Sequence, residues 1–126
     1  MKHTLLIALI IFITTFTSTG VFAQENYEGV IGKDKKIALS ITAEVMLAGN
    51  NMSYSGSFYP LTDQEKKSFI KGKINMETGR FSFIERDEKG QVKGYLVGTQ
   101  SGNQVDGHWK SVDKKEELPF KLQRKP

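Results

Sequence analysis

The residues able to move protons in this 126-residue chain are few and thinly spread. There is no cysteine, and beyond the first residues the one histidine is His108. A cysteine nucleophile is excluded, and a Ser–His–Asp arrangement would have to use His108. Asp106 and His108 stand two apart, which places both side chains on one face of a strand. Such a pair can orient an imidazole, but a solvated charge pair on an outer face has the same signature. Glu85 and Asp87 repeat the spacing beside a turn. Two carboxylates hydrolyse glycosides only across a cleft that holds a sugar. A small domain with short turns offers no such cleft, so this pair is expected to mark a hairpin end. No carboxylate–imidazole group reaches the ligand count of a zinc or calcium site. The expectation is a protein that is not an enzyme, with no catalytic residue, metal or cofactor.

Lysine is the remaining abundant reactive side chain. Lys66, Lys67, Lys71 and Lys73 form one positive stretch; Lys114–Lys115 and Arg124–Lys125 form two more. On strand edges and turns, lysines discourage edge-to-edge pairing. They also attract anionic partners.

The elements that would carry these groups follow from period-two alternation. Ile37, Leu39, Ile41, Ala43, Val45 and Leu47 share one face of a long strand, with Ala38, Ser40, Thr42, Glu44 and Met46 on the other. Gly49-Asn50-Asn51 supplies a turn that tolerates positive φ. In Met52–Tyr59, Met52, Tyr54, Gly56 and Phe58 alternate with Ser53, Ser55 and Ser57, and Pro60 ends the run. Further strands are expected at Asn26–Ile31, Lys67–Asn75, Arg80–Arg86, Gln91–Thr99, Gln104–Ser111 and around Leu118, Phe120 and Leu122. Eight strands with short turns define an all-β antiparallel up-and-down barrel, or a strongly coiled half-barrel, in the style of lipocalins and avidins. The face opposite the apolar stripes is polar, the reverse of a membrane barrel. Trp109 and Phe120 are expected in the core.

Gly29, Gly56, Gly72, Gly94, Gly98 and Gly107 fall in phase with the apolar face. Glycine on a concave face permits tight bending and close backbone approach. Neighbouring aromatics such as Tyr27, Tyr54, Phe58 and Trp109 are expected to cover the bare backbone locally. A narrow bore filled in this way leaves little room for a ligand.

The first 23 residues differ in composition. A short positive start precedes the uncharged apolar run Thr4–Phe16, and Val21-Phe22-Ala23 has the pattern of a signal peptidase site. The expectation is a cleaved signal peptide, Met1–Ala23, and a single domain, residues 24–126. Removal of those 23 residues leaves 103, enough for one unstapled core. One of the 18 Lys and Arg is Lys2; against 14 Asp and Glu the remainder carries +3. The domain is expected to be exported, periplasmic or extracellular, with no integral membrane segment after cleavage. Without cysteine it carries neither lipid anchor nor disulfide. Nucleic acid is not an expected partner in that compartment.

Two resemblances carry further expectations. Tyr27-Glu28-Gly29, Gly56-Ser57-Phe58-Tyr59, Gly107-His108-Trp109 and Leu118-Pro119-Phe120-Lys121-Leu122 resemble small exported bacterial β-barrel proteins of unknown function; this implies a fold and no activity. Ser53–Tyr59 is similar to the Ser-x-Ser-Gly-x-x-Tyr signature of bacterial inhibitors of c-type lysozyme, in which a nearby lysine enters the lysozyme cleft. That resemblance implies partner-binding roles for Ser53, Ser55, Tyr59 and Lys71. The chain departs from the pattern in lacking cysteine and in having Phe58 where the family has a basic residue. The function expected is a binding or interaction module for another protein or an envelope glycan. The alternatives are a small-ligand-binding barrel and a periplasmic lysozyme inhibitor.

Overall fold

The computed structural model describes residues 23–126. The signal-peptide reading therefore falls, apart from Ala23, outside the described residues. Eight strands follow in order: β1 Gln24–Ile31, β2 Lys35–Met46, β3 Asn51–Pro60, β4 Ser68–Asn75, β5 Arg80–Arg86, β6 Val92–Ser101, β7 Gln104–Ser111 and β8 Glu117–Arg124. Each pairs antiparallel with the next, and β1 closes on β8 from Tyr27–Arg124 to Ile31–Phe120. The alternative of an open half-barrel is thereby resolved in favour of closure, which leaves no unpaired edge. The turns obey the expected chemistry: Gly32, Gly49, Asn50, Gly79, Gly90, Gly102 and Lys114 all hold positive φ. Among the described residues no helix is long and apolar enough to cross a membrane.

The inward stripes build a single core. Tyr27, Ile41, Ile70, Ile74, Phe83, Leu96, Phe120 and Leu122 are buried. The interior keeps a void of about 20 Å³ between Tyr27, Phe81, Leu96 and Phe120, room for about one water. The expected filled bore is what forms.

The expectation of local aromatic cover is corrected. The cover comes from across the barrel wall. The Trp109 indole lies over Gly94 of the neighbouring strand, and the Phe120 ring lies over Gly107. These side chains reach their places because no Cβ stands in the way.

A second correction concerns β2. A bulge between Ala43 and Val45 shifts the register, so Val45 pairs with outward Ser53. One extra residue reverses every later side chain. Val45 and Leu47, expected inward, are therefore exposed, at 55% and 44%.

The two ends of the barrel differ. The β2–β3, β4–β5 and β6–β7 turns surround one end, which is closed by a polar network. The Tyr27 hydroxyl donates to Glu25 Oε1 at 2.9 Å and accepts from Gln100 Nε2 at 2.8 Å. Arg124 Nη1 approaches Glu25 Oε1 at 3.8 Å. Burial, and then the Glu25 hydrogen bond, raise the Tyr27 phenol well above its ordinary 10.0. Burial raises Tyr54 in the same direction. The folded state thus holds both phenolic protons more tightly than the unfolded state. Their contribution to stability is complete below about pH 10 and falls as pH climbs through the raised folded values. In an alkaline absorbance titration, Tyr27 and Tyr54, assigned through Tyr27→Phe and Tyr54→Phe, ionise only as near-ultraviolet dichroism is lost. Ionisation of either with the native spectrum intact would contradict this packing.

Candidate functional site on the outer wall

Outward positions of β3 to β7 align in rows across the sheet. One row runs Ser55, Lys71, Ile84, Tyr95, Lys110. The next runs Ser53, Lys73, Ser82, Val97, His108. A third runs Ser57, Phe69, Arg86. With strands roughly 4.8 Å apart, Lys71 and Lys110 stand about 14 Å from each other across Ile84 and Tyr95.

This wall is not flat. Short serines beside long lysines leave a shallow depression of about 680 Å³, floored by Ile84, Tyr95 and Val97 and flanked by Lys71, Lys73, Lys110 and Lys114. Leu47, turned outward by the β2 bulge, lines it as well. An adjoining depression of about 480 Å³ shares Lys71 and Ile84 and adds Phe69, Lys67 and Arg86. Phe69 is 47% exposed and Ile84 37%. The wall is therefore a recessed apolar floor inside a cationic rim.

Its electrostatics are one-sided. The outward positions of β3 to β6 include Lys71, Lys73, Arg80, Arg86 and Lys93 and no Asp or Glu. Carboxylates stand at its borders: Glu44 accepts a weak 3.5 Å bond from Ser53 Oγ, and Asp106 follows on β7. Among the described residues the two ion pairs, Arg124–Glu25 and Lys125–Glu28, lie elsewhere. The wall lysines are not neutralised by ion pairing, so their field reaches solvent within about a Debye length.

Of the residues singled out by sequence, Ser53, Ser55 and Lys71 come together here. Ser55 is in register with Lys71 and Ser53 with Lys73. Ser53 and Lys71 line the larger depression, and Ser55 and Lys71 the adjoining one. Tyr59 does not join them. It lies four residues along β3, roughly 13 Å from Ser55, in register with Ala38, which in turn pairs with Glu28. The Lys125 ammonium there donates to Glu28 Oε2 at 2.7 Å, which raises its pKa; Tyr59 contributes weakly in the same direction.

Asp106 and His108 share the outer face of β7, and among the described residues no hydrogen bond joins them; Gln104 Nε2 meets Asp106 at 3.5 Å. Glu85 and Asp87 do not form a pair. Asp87 Oδ1 accepts from the backbone of Lys89 and Gln91 and shapes the turn. Glu85, expected at an exposed hairpin end, instead points inward, 4% exposed, and accepts a 2.7 Å bond from Trp109 Nε1. Trp109 correspondingly sits at the edge of the core, not in its centre. Among the described residues no cluster of three His, Asp or Glu is placed to hold a metal ion.

Sequence reasoning places Leu47 inward and gives no role to Phe69, Ile84, Tyr95 and Val97. For the last four a signal existed: each is apolar yet out of phase with the buried stripe of its own strand. Three consecutive strands carry the same exception, and the register places them side by side. No protein-family model, curated protein or solved structure matches the chain.

Proposed function

We propose that this domain is an exported, non-enzymatic interaction module that docks an acidic protein partner on the wall of β3 to β7. The observation that carries the reading is the coincidence of a recessed apolar floor with a rim that has only positive charges from β3 to β6. Protein interfaces concentrate apolar area at the centre and polar groups at the rim. Complementary rim charge steers encounter and fixes orientation. A membrane surface fits the shape less well, because insertion needs apolar groups that protrude, whereas Ile84, Tyr95 and Val97 line a depression that four lysines also line. The filled interior argues in the same direction, leaving outer surfaces as the larger ligand-accessible areas.

The reading is tested by amide chemical-shift mapping of the domain with a short peptide alternating Glu with Leu, beside anionic vesicles and a sulfated glycan. The peptide is expected to perturb Lys71, Ile84, Tyr95, Val97 and Lys110, and the effect to weaken as salt screens the rim. Perturbations centred on β1 and β2, or a response to vesicles or glycan alone, would refute it.

A further inference from the structure

The other end of the barrel is open. The β1–β2, β3–β4, β5–β6 and β7–β8 connections surround it, including the longest connection, residues 61–67. A cavity of about 290 Å³ enters there and stops above the packed core. Its walls include Ile31, Phe58 and Leu118, its rim Lys35, Lys66 and Lys93, and its floor Glu85 and Trp109. We propose that this mouth binds a small amphipathic molecule with a hydroxyl at one end, an apolar body, and an anionic group at the other.

Glu85 carries the argument. It lies on the same inward stripe as Phe81 and Phe83, where packing alone would favour an apolar residue. A carboxylate buried there costs free energy unless its oxygens are satisfied. One oxygen accepts from Trp109. Among the described residues the other meets no donor, yet no fully buried side-chain oxygen or nitrogen is left unpaired. The second oxygen therefore opens onto the cavity, where a donor can reach it.

The rim decides what kind of donor. Three lysines and one carboxylate, Glu116, line the cavity beside Glu85. The positive surplus at the entrance disfavours an amine ligand and favours an anionic end near the lysines. A neutral hydroxyl then suits the floor, and the apolar wall sets the body between them. The volume lies at the small end of ligand sites, roughly 300 Å³. The site shares no lining residue with the outer-wall depression, so it stands or falls independently of the function proposed above.

Trp109 is the chain's single tryptophan, so its fluorescence reports on this floor directly. The probes are 8-hydroxyoctanoate, octanoate, which lacks the hydroxyl, and octane-1,8-diol, which lacks the charge. Saturable change of Trp109 emission is expected with 8-hydroxyoctanoate. Octanoate should bind at least about tenfold more weakly, the loss of one hydrogen bond to a charged acceptor. The diol should also bind more weakly. Glu85→Gln should remove most of the preference for the hydroxyl, and the wall variant Lys71→Glu/Lys73→Glu should leave binding unchanged. Far-ultraviolet dichroism establishes that each variant is folded; if Glu85→Gln is not, the comparison of probes on the unaltered protein decides alone. No saturable change at millimolar probe, equal affinity for the hydroxylated and plain acids, a preference surviving Glu85→Gln, or loss of binding in the wall variant would each overturn the proposal.

Discussion

Gly56→Ala should unfold this barrel or leave it marginal, with a loss of about 3 kcal/mol or more. A methyl group at Gly56 would land on the carbonyl oxygen of Ser40 and crowd the Cα of Ile41, its register partner. Both are backbone atoms of a central strand pair, so no side chain can swing aside to make room. Relief requires β2 and β3 to separate, and those strands also carry Leu39, Ile41, Tyr54 and Phe58 into the core. Gly90→Ala provides the contrast. Gly90 lies in the β5–β6 turn at φ 84° with nothing within 4 Å of the added carbon. Its cost is conformational alone, roughly 1–2 kcal/mol. Urea unfolding midpoints of the two variants separate the effects. Comparable losses would mean that the close approach of β2 and β3 is not what demands glycine at position 56.

Reversing Lys71, Lys73 and Lys110 together to glutamate should lower association with the acidic partner by roughly 10- to 1000-fold at low salt. These three heads flank the apolar floor, and the outward positions of β3 to β6 carry no native carboxylate to offset their charge. The loss should fall mainly on the association rate and shrink as ionic strength rises, because rim charges act through steering. Stability should move by no more than about 0.5 kcal/mol per site, since none of the three is in an ion pair among the described residues. Binding kinetics at two salt concentrations, paired with thermal melts, check both halves. A fall in melting temperature that accounts for the lost binding would remove the case for a charged interface.

Most of the barrel could be read from the residues because its rules are local. Alternation such as Ile37, Leu39, Ile41 and the positive-φ turn at Gly49-Asn50 depend on neighbours a few positions away. What escaped depends on distant ones. The β2 bulge leaves the apolar alternation of Ala43, Val45 and Leu47 unbroken in sequence while turning Val45 and Leu47 outward in space. Glu85 resembles any charge near a turn until β5, β6 and β7 are assembled. Only then does Gly94 open the path along which Trp109, 24 residues away, reaches the carboxylate. The outer wall was half legible. The inhibitor-like motif singles out Ser53, Ser55 and Lys71 as a set, but the apolar floor of Ile84, Tyr95 and Val97 exists only once β5 and β6 are in register.

The most direct test of the wall as an interface is site-specific photo-cross-linking in the cells that make the protein. A photoreactive phenylalanine analogue replaces Ile84 in one variant and Val30, outward on β1, in another. The account predicts a discrete protein adduct from position 84, absent from position 30 and lost when Lys71→Glu and Lys73→Glu are added. No adduct at position 84, equal adducts from both walls, or an adduct indifferent to the lysines would contradict it.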